Sequence, residues 1–150
     1  MKKFQLPLTF ILLFTLLLGC KKDQALINDI SGDYKIEQIV SIDNGQETVA
    51  VPQNGIISFI KCQIRNKDSQ NCDGYYQVGP GNRITFTYLP EKKANNEELF
   101  ISIGDMSVDP YLGGAFEISE RSSGSLVLTR YEFISGNRTY NLKLKLSKNN

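Results

Sequence analysis

The chain has 150 residues, three cysteines and no histidine, and those facts bound its chemistry. Without histidine it lacks the commonest general base, the usual partner of a Ser or Cys nucleophile and the commonest transition-metal ligand. Carboxylates are the remaining acids and bases, and a pair at the proper separation can cleave glycosidic bonds. Glu97 and Glu98 are adjacent, so on a strand they point to opposite faces and form no such pair. Asp105 and Asp109 flank Gly104-Asp105-Met106-Ser107-Val108-Asp109, a loop in which a hard cation could be held. The EF-hand spacing is missing, so the loop reads as a solvated turn. The expectation is a protein that is not an enzyme, with no cofactor and no metal.

Cys20 stands in a different context. Lys2 and Lys3 are followed by an apolar run from Phe4 to Leu18, a small residue and the cysteine, which is the three-part layout of an export signal. The run is too short to stay as a spanning helix, which needs about 20 apolar residues. Leu17-Leu18-Gly19-Cys20 resembles the lipobox of bacterial lipoproteins. That resemblance implies diacylglycerol on the Cys20 thiol, cleavage before Cys20 and acylation of the new amino group. Two or more buried acyl chains make a stable anchor where one is marginal. In enterobacterial lipoproteins Asp after the cysteine marks retention at the inner membrane. Lys21 stands there instead, which implies the outer membrane, facing the periplasm or the surface. The chain then divides into a signal peptide (1–19), a lipidated tether (20–30) with a helical turn near 25–29, and one domain (31–150).

Removing residues 1–19 leaves 131 residues, enough for one core. Loss of Lys2 and Lys3 takes 17 basic residues to 15 against 16 acidic ones, a net charge of −1. The basic residues are scattered without a stripe interleaved with aromatics, so nucleic acid is not an expected partner. In an oxidising compartment Cys62 and Cys72 are expected to pair. If the intervening turn centres near Lys67, they lie opposite each other on two antiparallel strands, the register that lets their side chains meet.

After Ser31-Gly32-Asp33 the periodicity is that of strands. Tyr34, Ile36, Gln38, Val40 and Ile42 alternate with Lys35, Glu37 and Ser41, which places Gln38 on the inner face. Asn44-Gly45 marks a tight hairpin turn. Further strands are expected at 48–51, 56–64, 72–78, 84–88, 98–103, 115–119, 126–134 and 138–146, with Pro90 to Glu97 as a charged loop. In the last, Tyr140, Leu142, Leu144 and Leu146 face one way and Asn141, Lys143 and Lys145 the other. Eight or nine strands joined by short turns imply an all-β antiparallel meander. Closing it into a barrel removes exposed edges, and a β-sandwich is the alternative.

Gly32-Asp33-Tyr34, soon after the anchor and at the head of the first strand, resembles the Gly-x-Trp or Gly-x-Tyr opening of small bacterial lipocalin-like lipoproteins. The resemblance implies a lipocalin-like barrel with Tyr34 plugging one end under an arginine from a late strand, for which Arg130 is the candidate. The chain departs from lipocalins proper in having no tryptophan.

The faces assigned inward carry Tyr34, Tyr76, Phe86, Tyr88 and Tyr140 together with Gln38 and Ser58. An apolar pocket with a few convergent polar groups is what small-ligand sites look like, and these seven are the candidate contacts for a hydrophobic or amphipathic ligand. The alternative is that the rings fill the barrel, as in many small eight-stranded barrels. A filled barrel would instead present loops, at Pro90–Glu97 and Asp105–Gly114, to an envelope protein partner.

Overall fold

The computed structural model describes residues 23–43, 46–64, 71–81, 83–93, 95–103, 112–134 and 137–149, with side chains except at 43, 132–134 and 137–140. The described residues form one short helix and nine strands. Helix α1 covers residues 23–30. The strands are β1 Gly32–Asp43, β2 Gln46–Ala50, β3 Ile56–Phe59, β4 Cys72–Gln77, β5 Ile84–Lys92, β6 Glu97–Ile103, β7 Gly114–Arg121, β8 Ser125–Ile134 and β9 Asn137–Lys148.

Every pairing is antiparallel, and β1 also pairs with β9, from Tyr34 opposite Lys148 to Ser41 opposite Leu142. That contact closes β1 and β3 to β9 into an eight-stranded barrel, with β2 as an extra strand on β1. A sandwich is thereby excluded. β2 and β3 share one edge of β1: β2 pairs with Ile39–Asp43 and β3 with Gly32–Lys35. Residues 51–55 separate them, where Asn54 adopts a positive φ of 58° that Asn tolerates better than most side chains.

The alternation of the strands decides what is buried. In β4 through β6 every second residue is buried: Cys72, Gly74, Tyr76, then Phe86, Tyr88, Pro90, then Leu99, Ile101, Ile103. Leu126 and Leu128 of β8 and Leu142, Leu144 and Leu146 of β9 complete the opposite wall of the same core.

The segment expected as a tether is α1 and belongs to the core. Leu26, Ile27 and Ile30 lie on one helical face and are buried in the same cluster as the barrel interior. Asp23 places a negative charge in the first turn, where it complements the helix dipole. The helix stops at Ser31, whose N–H donates to the Ile27 carbonyl at 2.9 Å. Gly32 then takes φ 137°, a conformation that favours glycine, and turns the chain into β1. α1 therefore stoppers one end of the barrel.

Three strand expectations need correction. Pro90 to Glu97 is not all loop: Pro90 keeps the inward phase of β5 opposite Leu99, β5 runs to Lys92 and β6 starts at Glu97, with the Lys93 N–H donating to the Asn96 carbonyl in the turn between them. Lys92–Glu97 (2.7 Å) and Lys93–Glu98 (2.6 Å) ion pairs clasp that turn. The strand expected at 56–64 ends at Phe59. In β1 the alternation breaks at Glu37, an extra residue between the pairs Ile36–Leu146 and Gln38–Lys145. Such a bulge reverses the phase of all that follows. Ile39 then packs against the core, and Val40 is buried outside it, opposite Lys143 and Val49. The Ser147 hydroxyl donates to the Glu37 carboxylate, and with Lys35 it holds that carboxyl below its ordinary range.

Candidate functional site: the barrel interior

The stoppered half of the interior is built from aromatic rings. Phe59 sits at its centre, with ring centroids 6.0 Å from Tyr34, 5.8 Å from Phe86 and 5.2 Å from Tyr88, all edge-to-face. Phe86 and Tyr88 meet each other at 6.4 Å. These separations and angles are those at which aromatic pairs attract beyond their buried area. The four rings are between 1% and 4% exposed, and α1 contributes Leu26, Ile27 and Ile30 to the same cluster.

Gly74 makes this density possible. It pairs with Phe59 on one side and Phe86 on the other, all three facing inward. A Cβ on it would stand 2.4 Å from two carbons of the Phe86 ring and 2.7 Å from the Ser58 carbonyl oxygen. The ring occupies the space that a side chain at 74 would need.

The Tyr88 hydroxyl donates to the Ile60 carbonyl at 2.8 Å, so its polar end is satisfied inside the barrel. Burial raises the pKa of Tyr88 above its usual value, as it does for Tyr34. At Tyr34 the charge of Arg121 opposes that rise and the charge of Asp29 adds to it. Arg121, at the end of β7, ion-pairs with Asp29 of α1 and with Glu97 of β6 at 3.1 Å. It fastens the helix to the barrel rim.

Arg130, the candidate cap over Tyr34, lies elsewhere. Its guanidinium sits 5.9 Å from the Phe116 ring centroid and donates to the Gly113 carbonyl at 2.7 Å, and Nε donates to Asn141 at 3.0 Å. It pairs with Leu142, on the face of the buried leucines, at the end remote from α1. The late-strand arginine acting on Tyr34 is Arg121. It lies close to a chain end of β7, and nothing in its sequence neighbours Ser119 and Glu120 announces that position.

Of the seven candidate ligand contacts, Tyr34, Phe86 and Tyr88 come together in the ring cluster, and Tyr76 is buried on the same inner face of β4. Gln38 and Ser58 do not join them. The Glu37 bulge turns Gln38 outward, opposite exposed Lys145. Ser58 lies between the inward Ile57 and Phe59, pairs with Asp33 and Tyr75, and donates its hydroxyl to the Asp33 carboxylate on the outer face. Tyr140 pairs through its backbone with Tyr131, and its side chain lies outside the described residues. Cys20 and the Asp105–Asp109 loop also lie outside them. Phe59, central to the cluster, escaped the sequence reading: with Ser58 assigned inward the alternation puts Phe59 outward, and its pairing with Gly74 corrects the phase.

Cys62 and Cys72 stand at disulfide distance, with Cα atoms 5.5 Å apart. They are not the cross-strand pair expected. Phe59 pairs with Gly74, and the Ile60 N–H donates to the Asp73 carbonyl, so the residue in line with Cys72 is Lys61. The chain leaves the ladder after Ile60, which lets Cys62 reach across. Gln24 of α1 ties down the same segment, donating to the Cys62 carbonyl and accepting from the Ile64 N–H, both at 3.0 Å.

On the outside, a groove of about 500 Å³ crosses β4 to β6, lined by Asp73, Tyr75, Thr85, Thr87 and Ser102, with Ile60 at its edge. The Arg83 guanidinium lies over the Tyr75 ring at 4.4 Å. Among the described residues no group of three His, Cys, Asp or Glu side chains is placed to hold a metal ion. Among them, too, no helix is long and apolar enough to cross a membrane. No family model, curated protein or solved structure matches the chain.

Proposed function

We propose that this protein is an exported, lipid-anchored, non-catalytic interaction module of the bacterial envelope, whose barrel serves as a rigid mount for a protein-facing surface. The observation that carries this reading is the ring cluster. Tyr34, Phe86 and Tyr88, the residues best suited to grip an apolar ligand, grip Phe59 and one another, and α1 closes the end they occupy. Five large apolar side chains, Val49, Val51, Ile60, Val78 and Phe100, are at least 40% exposed. Val49 and Val51 stand two residues apart at the end of β2, and apolar side chains exposed together are where protein contacts form.

The export signal and Leu17-Leu18-Gly19-Cys20 supply the anchor in this reading. Only two residues, Lys21 and Lys22, lie between Cys20 and Asp23, so three residue steps give a reach of about 11 Å at full extension. Lipid on Cys20 therefore holds the stoppered end against the outer membrane and turns the opposite end, with β2, away from it.

A second reading keeps a small amphipathic ligand at that far end. It rests on Arg130, a cation set on the inner face next to Phe116 and Leu142. Mass spectrometry of the protein purified from bacterial envelopes, extracted under denaturing conditions, separates the two. The interaction module carries acyl chains on Cys20 and releases no stoichiometric cargo. A cargo molecule released one to one would favour the second reading, and a Cys20→Ala protein that still incorporates labelled fatty acid would remove the anchor.

A further inference from the structure

Closure protects every strand of the barrel but leaves β2. Among the described residues β2 pairs with β1 alone and stands at the end of the strand order, so one row of its backbone N–H and C=O groups has no strand beside it. All five residues are exposed, with Val49 at 50% and Val51, just beyond the strand, at 70%. Edge strands are ordinarily guarded by lysine, proline, bulges or a covering loop. β2 carries none of the first two within its span, Gln46-Glu47-Thr48-Val49-Ala50, and its pairing with β1 has no register break.

From this edge we infer a docking site for an extended segment of another envelope protein, added to β2 as a further strand. The inference rests on the proposed anchored orientation and names the partner of that interaction module. Two observations choose the occupant. A second copy on the same membrane does not fit, because antiparallel pairing about a two-fold axis turns the second barrel end for end and lifts its stoppered end off the bilayer. A five-residue edge is also far smaller than the roughly 1,200–2,000 Å² of a stable protein interface, whereas strand addition gains its affinity from backbone hydrogen bonds along one short segment.

The side chains set the sequence class of the segment. Glu47 and Val49 share one face of the strand, Val51 follows just beyond its end, and Glu47 is the only ionisable side chain in β2. The matching segment alternates, with β-branched residues against the two valines and a lysine or arginine against Glu47.

The test uses the full-length lipidated protein in detergent, observed by amide NMR. The probe is a synthetic nine-residue peptide of alternating threonine and valine with one lysine. It should shift the amides of residues 46–51 and bind in the micromolar to millimolar range. N-methylation of the peptide at every second residue should weaken binding at least about tenfold, because it removes the backbone donors. Exchanging the peptide lysine for glutamate should weaken it further, and Glu47→Lys should reverse that preference. An unmethylated peptide that leaves residues 46–51 unmoved, or a methylated one that binds equally well, overturns the inference. Neither result touches the cargo measurement, so failure of this site and failure of the interaction reading are told apart.

Discussion

Gly74→Ala is the sharpest probe of the filled interior. The added methyl would meet the Phe86 ring at 2.4 Å and the Ser58 carbonyl oxygen at 2.7 Å, both well inside van der Waals contact. Phe59 and Tyr88 flank the Phe86 ring at 5.8 and 6.4 Å and resist its displacement, and the Ser58 oxygen belongs to the backbone of β3. Overpacking a dense core costs about 1–3 kcal/mol, and replacing glycine returns about 0.4–1 by restricting the unfolded chain. The net expectation is a loss of about 1–2 kcal/mol, or roughly 3–8 °C in Tm for a domain of this size. Urea unfolding followed by tyrosine fluorescence measures it. Adding Phe86→Leu, which shortens the offending ring, should make the double variant less costly than the sum of the singles by about 1 kcal/mol. A Gly74→Ala protein as stable as the parent, or strictly additive singles, would mean that the ring does not occupy the space over Gly74.

Other consequences follow from the same packing. Ile27→Ala removes a fully buried side chain from the helical stopper and should cost about 2–4 kcal/mol in chemical unfolding, whereas a free tether would lose nothing measurable. Reducing Cys62–Cys72 should lower stability by roughly 2–3 kcal/mol for a loop of this length, and the two cysteine peptides should gain two hydrogens in mass analysis. Tyr34 and Tyr88 both have pKa values raised by burial, so the folded state holds their phenol protons more tightly than the unfolded one. Their contribution to stability is complete below about pH 10, the unfolded value, and is lost as pH rises through the folded values. Unfolding titrations should thus show a decline confined to the alkaline side, and Tyr34→Phe should flatten it.

The strands were legible because their side chains obey a period of two almost without interruption, as in the buried leucines of β9 and the rings of β5. What escaped the pattern did so for local reasons. The Glu37 bulge inserts one residue without leaving any mark on composition, so Gln38 reads as inward until the β1–β9 register is known. The run at Ile56–Ile60 is apolar on both faces, so Ser58 reads as inward until the pairing of Phe59 with Gly74 fixes the phase. α1 is legible only as a helical turn near 25–29, because three apolar residues, Leu26, Ile27 and Ile30, make a face too small to show that it is buried against the barrel. Its stability comes from the barrel end it covers rather than from its own propensity. The sequence points to Arg130 as the late-strand arginine, and only the closed barrel brings Arg121 to Tyr34 instead. The alternation of Pro90 with Tyr88 was present in the sequence, but a proline beside charged residues reads as a loop.

The central claim is that the rings of Tyr34, Phe86 and Tyr88 serve packing rather than ligand capture. The most direct measurement is aromatic NMR of the full-length protein while dodecanoate is titrated in. Close proton contacts between the Phe59 ring and those of Tyr34, Phe86 and Tyr88 should be present at the start and unchanged at saturation. Rings that separate or shift as the fatty acid enters, with slow release on dilution, would contradict it.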